Sequence, residues 1–221
     1  MLFVGSSVPA FLWGVAMANI FRGVSIDANM TYVGSFWDLL NPFALIAGVT
    51  SLVIFALHGA NFISIKIEGS IADRANAVAL KLWPVAIIAG LIVVGMGYFE
   101  TDMYTRHGIK SGLLPLIAGA ATFAAGWFLR RKRNGWAFAM TSICIVFATI
   151  TIFTGLYPRV LISSLQPEAW SLTIYNASSS AYTLRVMSII TLIFLPLVLL
   201  YQGWSYHVFR RRITRSSSLE Y

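Results

Sequence analysis

Side chains able to do chemistry are few in this chain, and their placement limits what they could do. His58 is the only ionisable residue well inside an apolar run. An ionisable group at membrane depth is a functional candidate by default. The plainer alternative is a neutral imidazole satisfied by a neighbouring carbonyl or hydroxyl. A haem held between helices needs axial ligands, commonly His or Met. Counted from the nearest basic residue, His58 lies about 12 Å deep and His207 about 4–5 Å, an offset that argues against a shared bis-histidine haem. Pairing His58 with Met17 or Met187 has no pattern behind it, and the methionines read more simply as gap-fillers. Asp38, Glu100 and Asp102 could bind a cation or open a proton path; the plainer reading is solvated or helix-start charges. The single cysteine, Cys144, allows neither an internal disulfide nor a cysteine-ligated cluster. There is no Gly-rich phosphate loop, no HExxH and no nucleophile–base pair at recognisable spacing. No residue is therefore assigned a catalytic, cofactor-binding or metal-binding role.

The 221 residues are 58% hydrophobic and 11% charged, with a mean hydropathy of +0.76. Soluble domains carry about 25% charged residues, so several long uncharged runs make this a polytopic membrane protein. The net charge of +8 does not point to nucleic acid, because the basic residues cluster at the ends of apolar runs. There they act as topology signals and contacts to anionic lipid. The opening MLFVGSSVPAFLW has no charged leader and no small-residue cleavage site, and reads as a span.

These residues must be positioned by helices, and the sequence predicts an all-α bundle of about six transmembrane helices forming one domain over 1–221. The stretch 34–65 organises the rest. Asn41 suits an N-cap and Pro42 the first helical position. From Pro42 to Ile65 is about 36 Å of helix, against a hydrocarbon core of about 30 Å. Its small-residue face (Ala44, Ala47, Gly48, Ser51, then Phe55 and His58) favours close helix contact. A first span covers about 1–21, with Pro9 either kinking it or marking its regular start. The segment 66–81 reads as a mixed-charge loop or short surface helix. Further spans cover about 82–99, 112–129, 136–157 and 186–209. Ala118, Thr122 and Gly126 form a second close-packing face. Trp37, Trp83, Trp127, Trp136 and Trp204 fall near span edges, as interfacial belts do. The triplets at Asn29 and Asn176 match a glycosylation sequon, a short pattern that arises readily by chance.

Six spans put both termini on one side. That side carries Lys66, Arg74, Lys81, Arg130, Arg131, Lys132, Arg133, Arg210, Arg211, Arg212 and Arg215, eleven basic residues. The other side has Arg22, Arg106, Lys110, Arg159 and Arg185, five. The positive-inside rule predicts cytoplasmic termini in a cell membrane.

Four segments carry a resemblance: GSSVPAFLWGVAMANIFRGVSID (5–27), GSFWDLLNPFALIAGVTSLVIFALHGANF (34–62), YPRVLISS with SLTIYNASSSAYTLRVM (157–187), and LPLVLLYQGWSYHVFRRRI (195–213). Long, in order and including polar loop motifs, they resemble subunit II of the cytochrome bd quinol oxidases. The resemblance implies a membrane complex that oxidises quinol and reduces oxygen to water. It places haem b, haem d and the quinol site in the partner, subunit I, and gives this chain no cofactor of its own. The expected partners are that haem-bearing subunit, the lipid bilayer and, through the complex, quinone; no nucleic acid is expected. Subunit II of this family has further helices before the matching region, so a fragment or truncated product is expected here. No proton- or oxygen-pathway residue is carried over. The expected function is that of a structural oxidase subunit; a small-molecule transporter subunit and a haem-binding anchor are the competing readings.

Overall fold

The computed structural model describes residues 1–103 and 110–209, without the side chains of 110 and 111. Arg106, His107 and the basic tail residues Arg210, Arg211, Arg212 and Arg215 lie outside the described residues. Six helices among those described are long and apolar enough to cross a membrane. They are α1 (Leu2–Arg22), α2 (Pro42–Lys66), α3 (Ser70–Glu100), α4 (Lys110–Arg130), α5 (Asn134–Leu156) and α6 (Ala181–Val208). A 3-10 helix (Phe36–Leu40) leads into α2. After α5 come two short antiparallel strands, β1 (Arg159–Leu161) and β2 (Leu172–Thr173). Helices α2, α3, α4 and α5 form a four-helix core, with α1 packed on α2. The turns 67–69 and 131–133 mark a basic end, and the longer connections lie at the opposite, loop end.

The start of α2 forms as the sequence dictates. Asn41 Oδ1 accepts the backbone N–H of Ala44 at 2.9 Å, and Pro42 occupies the first turn. The small face of α2 is used inside the chain: a Cβ on Gly14 of α1 would sit 2.5 Å from Ala47 O and 2.8 Å from the Gly48 Cα. Lipid gives helices no hydrophobic reason to associate, so contact between small residues supplies the packing. The α4 face behaves alike. The indole of Trp83 lies over Gly126, and its Nε1–H donates to Thr122 O at 2.8 Å. Trp83 is therefore a packed core group rather than a member of an interfacial belt. Trp37, Trp127, Trp136 and Trp204 are exposed, as expected for a belt.

One further expectation is corrected, and one open alternative is decided. The segment 66–81 is not a loop or a separate surface helix: from Ser70 it is the opening of α3, which runs unbroken for 31 residues through Pro84. Ala72, Ala75, Ala77 and Ala79 favour helix, and Asp73 complements the positive helix start. At about 46 Å, α3 is longer than the roughly 30 Å hydrocarbon core, so its polar first turns can project beyond it. Pro9 lies in the interior of α1 rather than at its start.

The loop end is stitched shut by polar contacts between distant segments. Asn19 Nδ2 donates to Val15 O and Leu39 O, at 2.9 and 2.7 Å, and Asn41 Nδ2 donates to Asn19 Oδ1 at 2.9 Å. Gly23 ends α1 with φ +103, where a side chain would be strained and would press on Ile162. Val24 N then donates to Ile162 O, Ser164 N to Val24 O, and Ser163 Oγ to Ile26 O. Arg22 pairs with Glu100 at 2.7 Å. Arg159 grips Asp102 with two nitrogens, at 2.7 and 2.8 Å. The two pairs differ in burial: both side chains of the first are 37% exposed, whereas that of Arg159 is 4% exposed.

Two expectations for thermal unfolding in detergent follow. Gly14→Leu overpacks the α1–α2 contact and lowers stability by about 1–3 kcal/mol. Gly119→Leu, which meets open space, changes it by only about 0.5 kcal/mol. Asp102→Ala leaves a buried guanidinium without its carboxylate and costs about 3–5 kcal/mol; Glu100→Ala costs about 0–1 kcal/mol. Equal losses within either comparison would contradict this account of the packing.

Candidate functional site

His58 sits on α2, opposite α5. Its Nδ1 lies 2.8 Å from Thr141 Oγ1. Thr141 Oγ1 also contacts Phe138 O at 2.9 Å. That carbonyl can only accept, so the single threonine hydroxyl hydrogen is directed to it. The contact with His58 is then an Nδ1–H donating to the hydroxyl oxygen, which in the neutral ring leaves Nε2 as a bare acceptor. The imidazole stacks on Phe138 with ring centroids 4.4 Å apart and planes at 22°. Hydroxyl partner and aromatic lid match the plainer of the two readings of this histidine.

The other candidate haem ligands do not come to it. Gly14 faces Ala47 and Gly48 across the antiparallel α1–α2 pair. Met17 is therefore about level with Leu45, thirteen residues and roughly 20 Å of helix from His58. Met187 lies near the loop end of α6 and is exposed. The contact of Lys66 Nζ with Phe209 O, 2.8 Å, brings the last residues of α6 to the end of α2, which puts Met187 roughly 20 Å above His58. His207 is on α6, which buries none of its residues, while His58 packs on α5. Among the described residues, no three His, Cys, Asp or Glu side chains gather as a metal site.

The loop end holds a cleft of about 660 Å³. Asp38, Glu100 and Asp102 all line it, so the structure does bring these three carboxylates together. Each is nevertheless engaged in holding the fold. Asp38 Oδ2 accepts the Ser35 N–H at 2.7 Å and caps the 3-10 helix; Glu100 and Asp102 are the ion-pair acceptors described above. Cys144 is buried between α4 and α5, 3.1 Å from Thr122 Oγ1. Asn176, in one of the sequon triplets, folds its amide back onto the backbone, accepting from Thr173 N and donating to Ser171 O. Arg159 was missed as a structural residue. Its partner is 57 positions away, and no local pattern links the two.

Comparison with known proteins places these features in a family. The family described as "Cytochrome bd terminal oxidase subunit II" matches residues 1–209. Subunit 2 of the cytochrome bd ubiquinol oxidase of Bacillus subtilis is 37% identical over the whole chain, which covers 65% of that protein. A probable cytochrome oxidase subunit 2 of Haemophilus influenzae is 30% identical, with 93% of this chain and 62% of the relative aligned. The chain thus spans just under two thirds of the length of these relatives. A solved structure of bd oxidase from Geobacillus thermodenitrificans shares the fold, with a TM-score of 0.69 at 16% identity, covering 93% of this chain and 62% of that one. The expected resemblance and the six-helix membrane architecture agree with these matches: the chain is a multi-pass membrane protein and belongs to the cytochrome bd terminal oxidase subunit II family.

Proposed function

We propose that this chain is a structural subunit of a cytochrome bd-type quinol oxidase, and that it supports electron transfer from quinol to oxygen in a haem-bearing partner without catalysing it. Family membership is the observation that carries this reading. In it, haem b and haem d belong to the partner, and quinone reaches the complex there. The chain supports this with its own side chains. His58 is engaged with Thr141 and Phe138, and the carboxylates of Asp38, Glu100 and Asp102 are engaged in the loop-end cap.

Residues 1–221 act as one transmembrane domain corresponding to the carboxy-terminal part of the longer subunits. The basic end, with the turns 67–69 and 131–133, faces the cytoplasm, the side that the excess of Lys and Arg favours. The contact with the partner lies along α6. The small faces of α2 and α4 are used within the chain, whereas α6 buries none of its residues. Packing is the main source of helix association in lipid, and a partner subunit lying along α6 supplies it.

The reading is tested by purifying the tagged chain from native membranes. It should bring down a second polypeptide, d-type haem absorption and quinol-dependent oxygen consumption; recovery of the chain alone without a haem spectrum overturns the proposal. His58→Ala and Thr141→Val should reduce the yield of assembled complex, by about 1–3 kcal/mol of stability, with turnover per haem unchanged within about twofold. A large loss of turnover in a fully assembled complex would give His58 a role beyond packing.

A further inference from the structure

The turn between α4 and α5 carries four cations in a row, Arg130, Arg131, Lys132 and Arg133. Among the described residues none of them meets a carboxylate. Arg22 and Arg159 at the loop end show the other pattern, for each is paired with an acid. Nor are the four side chains needed to finish α4. Phe128 O accepts the backbone N–H of both Arg131 and Arg133, at 3.1 and 2.9 Å, and Leu129 O accepts that of Lys132 at 2.9 Å. Lys132 takes φ +56 to make this closure. These carbonyls are capped by backbone alone, and the basic side chains remain exposed.

Two of the four are nevertheless held in place. The guanidinium of Arg130 lies over the indole of Trp83, 4.8 Å from its ring centre, and that of Arg131 over the indole of Trp127 at 4.0 Å. Trp83 is itself fixed by its bond to Thr122 O and its seat on Gly126, so Arg130 reaches from α4 onto α3. Trp127 packs edge-on against Phe128, with ring centroids 4.8 Å apart. A topology signal needs only charge, which lysine supplies as well and with no ring beneath it. A guanidinium laid over an aromatic face keeps its N–H groups for another acceptor, and their planar fork matches the oxygens of a phosphate. Below the pair, Leu113, Leu116, Ala120, Phe123 and Trp127 follow one another at three- and four-residue steps, all exposed. Arg130 and Arg131 are the next step on that line. From Leu116 to Trp127 is about 16 Å of helix, close to half of the roughly 30 Å hydrocarbon core.

The occupant is set by charge and by that apolar line together. Among the described residues of this end, Lys66, Arg74, Lys81, Arg130, Arg131, Lys132 and Arg133 outnumber Glu68 and Asp73 by seven to two. A phospholipid bearing an ammonium group brings a further positive charge into this surplus. Inorganic phosphate answers the guanidiniums but makes no use of the apolar line. An anionic phospholipid answers both, and the bilayer that the six helices cross supplies it at the right depth. We propose that Arg130 and Arg131 form a docking site for the phosphate of an anionic phospholipid at the α3–α4 edge of the bundle, with an acyl chain lying along Leu116, Phe123 and Trp127. The site goes beyond the general attraction of basic turns for anionic lipid, because it sets two arginines apart from the five other cations of the same end. It needs only the membrane-spanning fold, whatever the partner subunit does.

The test uses the tagged chain as it is recovered from native membranes, with every subunit it brings along, stripped of loose lipid in detergent. Native mass spectrometry then compares retention of phosphatidylglycerol with that of phosphatidylcholine carrying the same acyl chains. The wild type should retain at least one phosphatidylglycerol with about a tenfold preference. Arg130→Gln combined with Arg131→Gln should remove most of that preference. Arg74→Gln combined with Lys81→Gln takes the same charge from the same end and should keep it, for these residues lie nine and two positions before Trp83, on the opposite side of α3. Arg130→Lys combined with Arg131→Lys preserves the charge that sets topology, and covers the case in which the neutral pair fails to insert. It should weaken the preference about threefold or more, because an ammonium lacks the planar fork. No preference in the wild type, an equal loss in the Arg74 and Lys81 variant, or full retention in the charge-preserving variant overturns the proposal. So does inorganic phosphate raising the midpoint of thermal unfolding as far as phosphatidylglycerol does, the result expected of an anion site without the acyl contact.

Discussion

Close approach of helix backbones through small residues is the constraint on which this structure rests. Inside lipid, the backbone must satisfy itself within helices, and helices then gain little by merely being apolar. What holds them together is packing at short range. Gly14 against Ala47 and Gly48 joins α1 to α2, and Gly126 beneath the Trp83 indole joins α4 to α3. Each contact leaves no room for a Cβ. Packing of α2 on α5 in the same core brings His58 and Thr141, 83 residues apart, to hydrogen-bond distance.

The two ends of this bundle solve the polar-group problem differently. At the loop end distant segments are cross-linked by side chain and backbone: Asn19 with Asn41, Val24 with Ile162, Arg159 with Asp102. Its carboxylates are structural, which is why a cleft lined by three acids and an arginine does not amount to a reactive centre. At the basic end the turns are short and the charges lie outside the core. There the buried side-chain amide of Asn61 has no hydrogen-bond partner within the protein, whereas that of Asn19 at the loop end is bonded through both nitrogen and oxygen.

Much of the architecture was legible because helix signals are local. Asn41-Pro42 announced the start of α2, and the small residues of α2 and α4 announced their buried faces. The family was legible because polar loop segments such as YNASSSAY cannot be mimicked by greasy helices in general. What stayed hidden depended on distance or on competition between signals. Charges in 66–81 suggested a loop, yet four alanines within 72–79 carried α3 straight through it. Trp83 sat where an interfacial tryptophan should sit, and only its neighbour on α4 shows that it packs inward. Asp102 and Arg159 are brought together solely by the tertiary arrangement. That α6 would stand clear of the bundle was likewise invisible, since its composition matches that of its packed neighbours.

The stitching of the loop end also sets an order of events during synthesis. Ser163 bonds to the carbonyl of Ile26, 137 residues earlier, and Arg159 closes on a carboxylate that emerges with α3. Residues 23–35, synthesised before α2, must therefore wait until α5 and the following loop have been delivered. Until that moment Asp102 has no Arg159 to close on it, and the early helices are held by backbone-close contacts and by bonds such as Asn19–Asn41 and Arg22–Glu100. The cap is consequently a closing latch, and its formation reports that helices α1 to α5 and the loop after them are all in place.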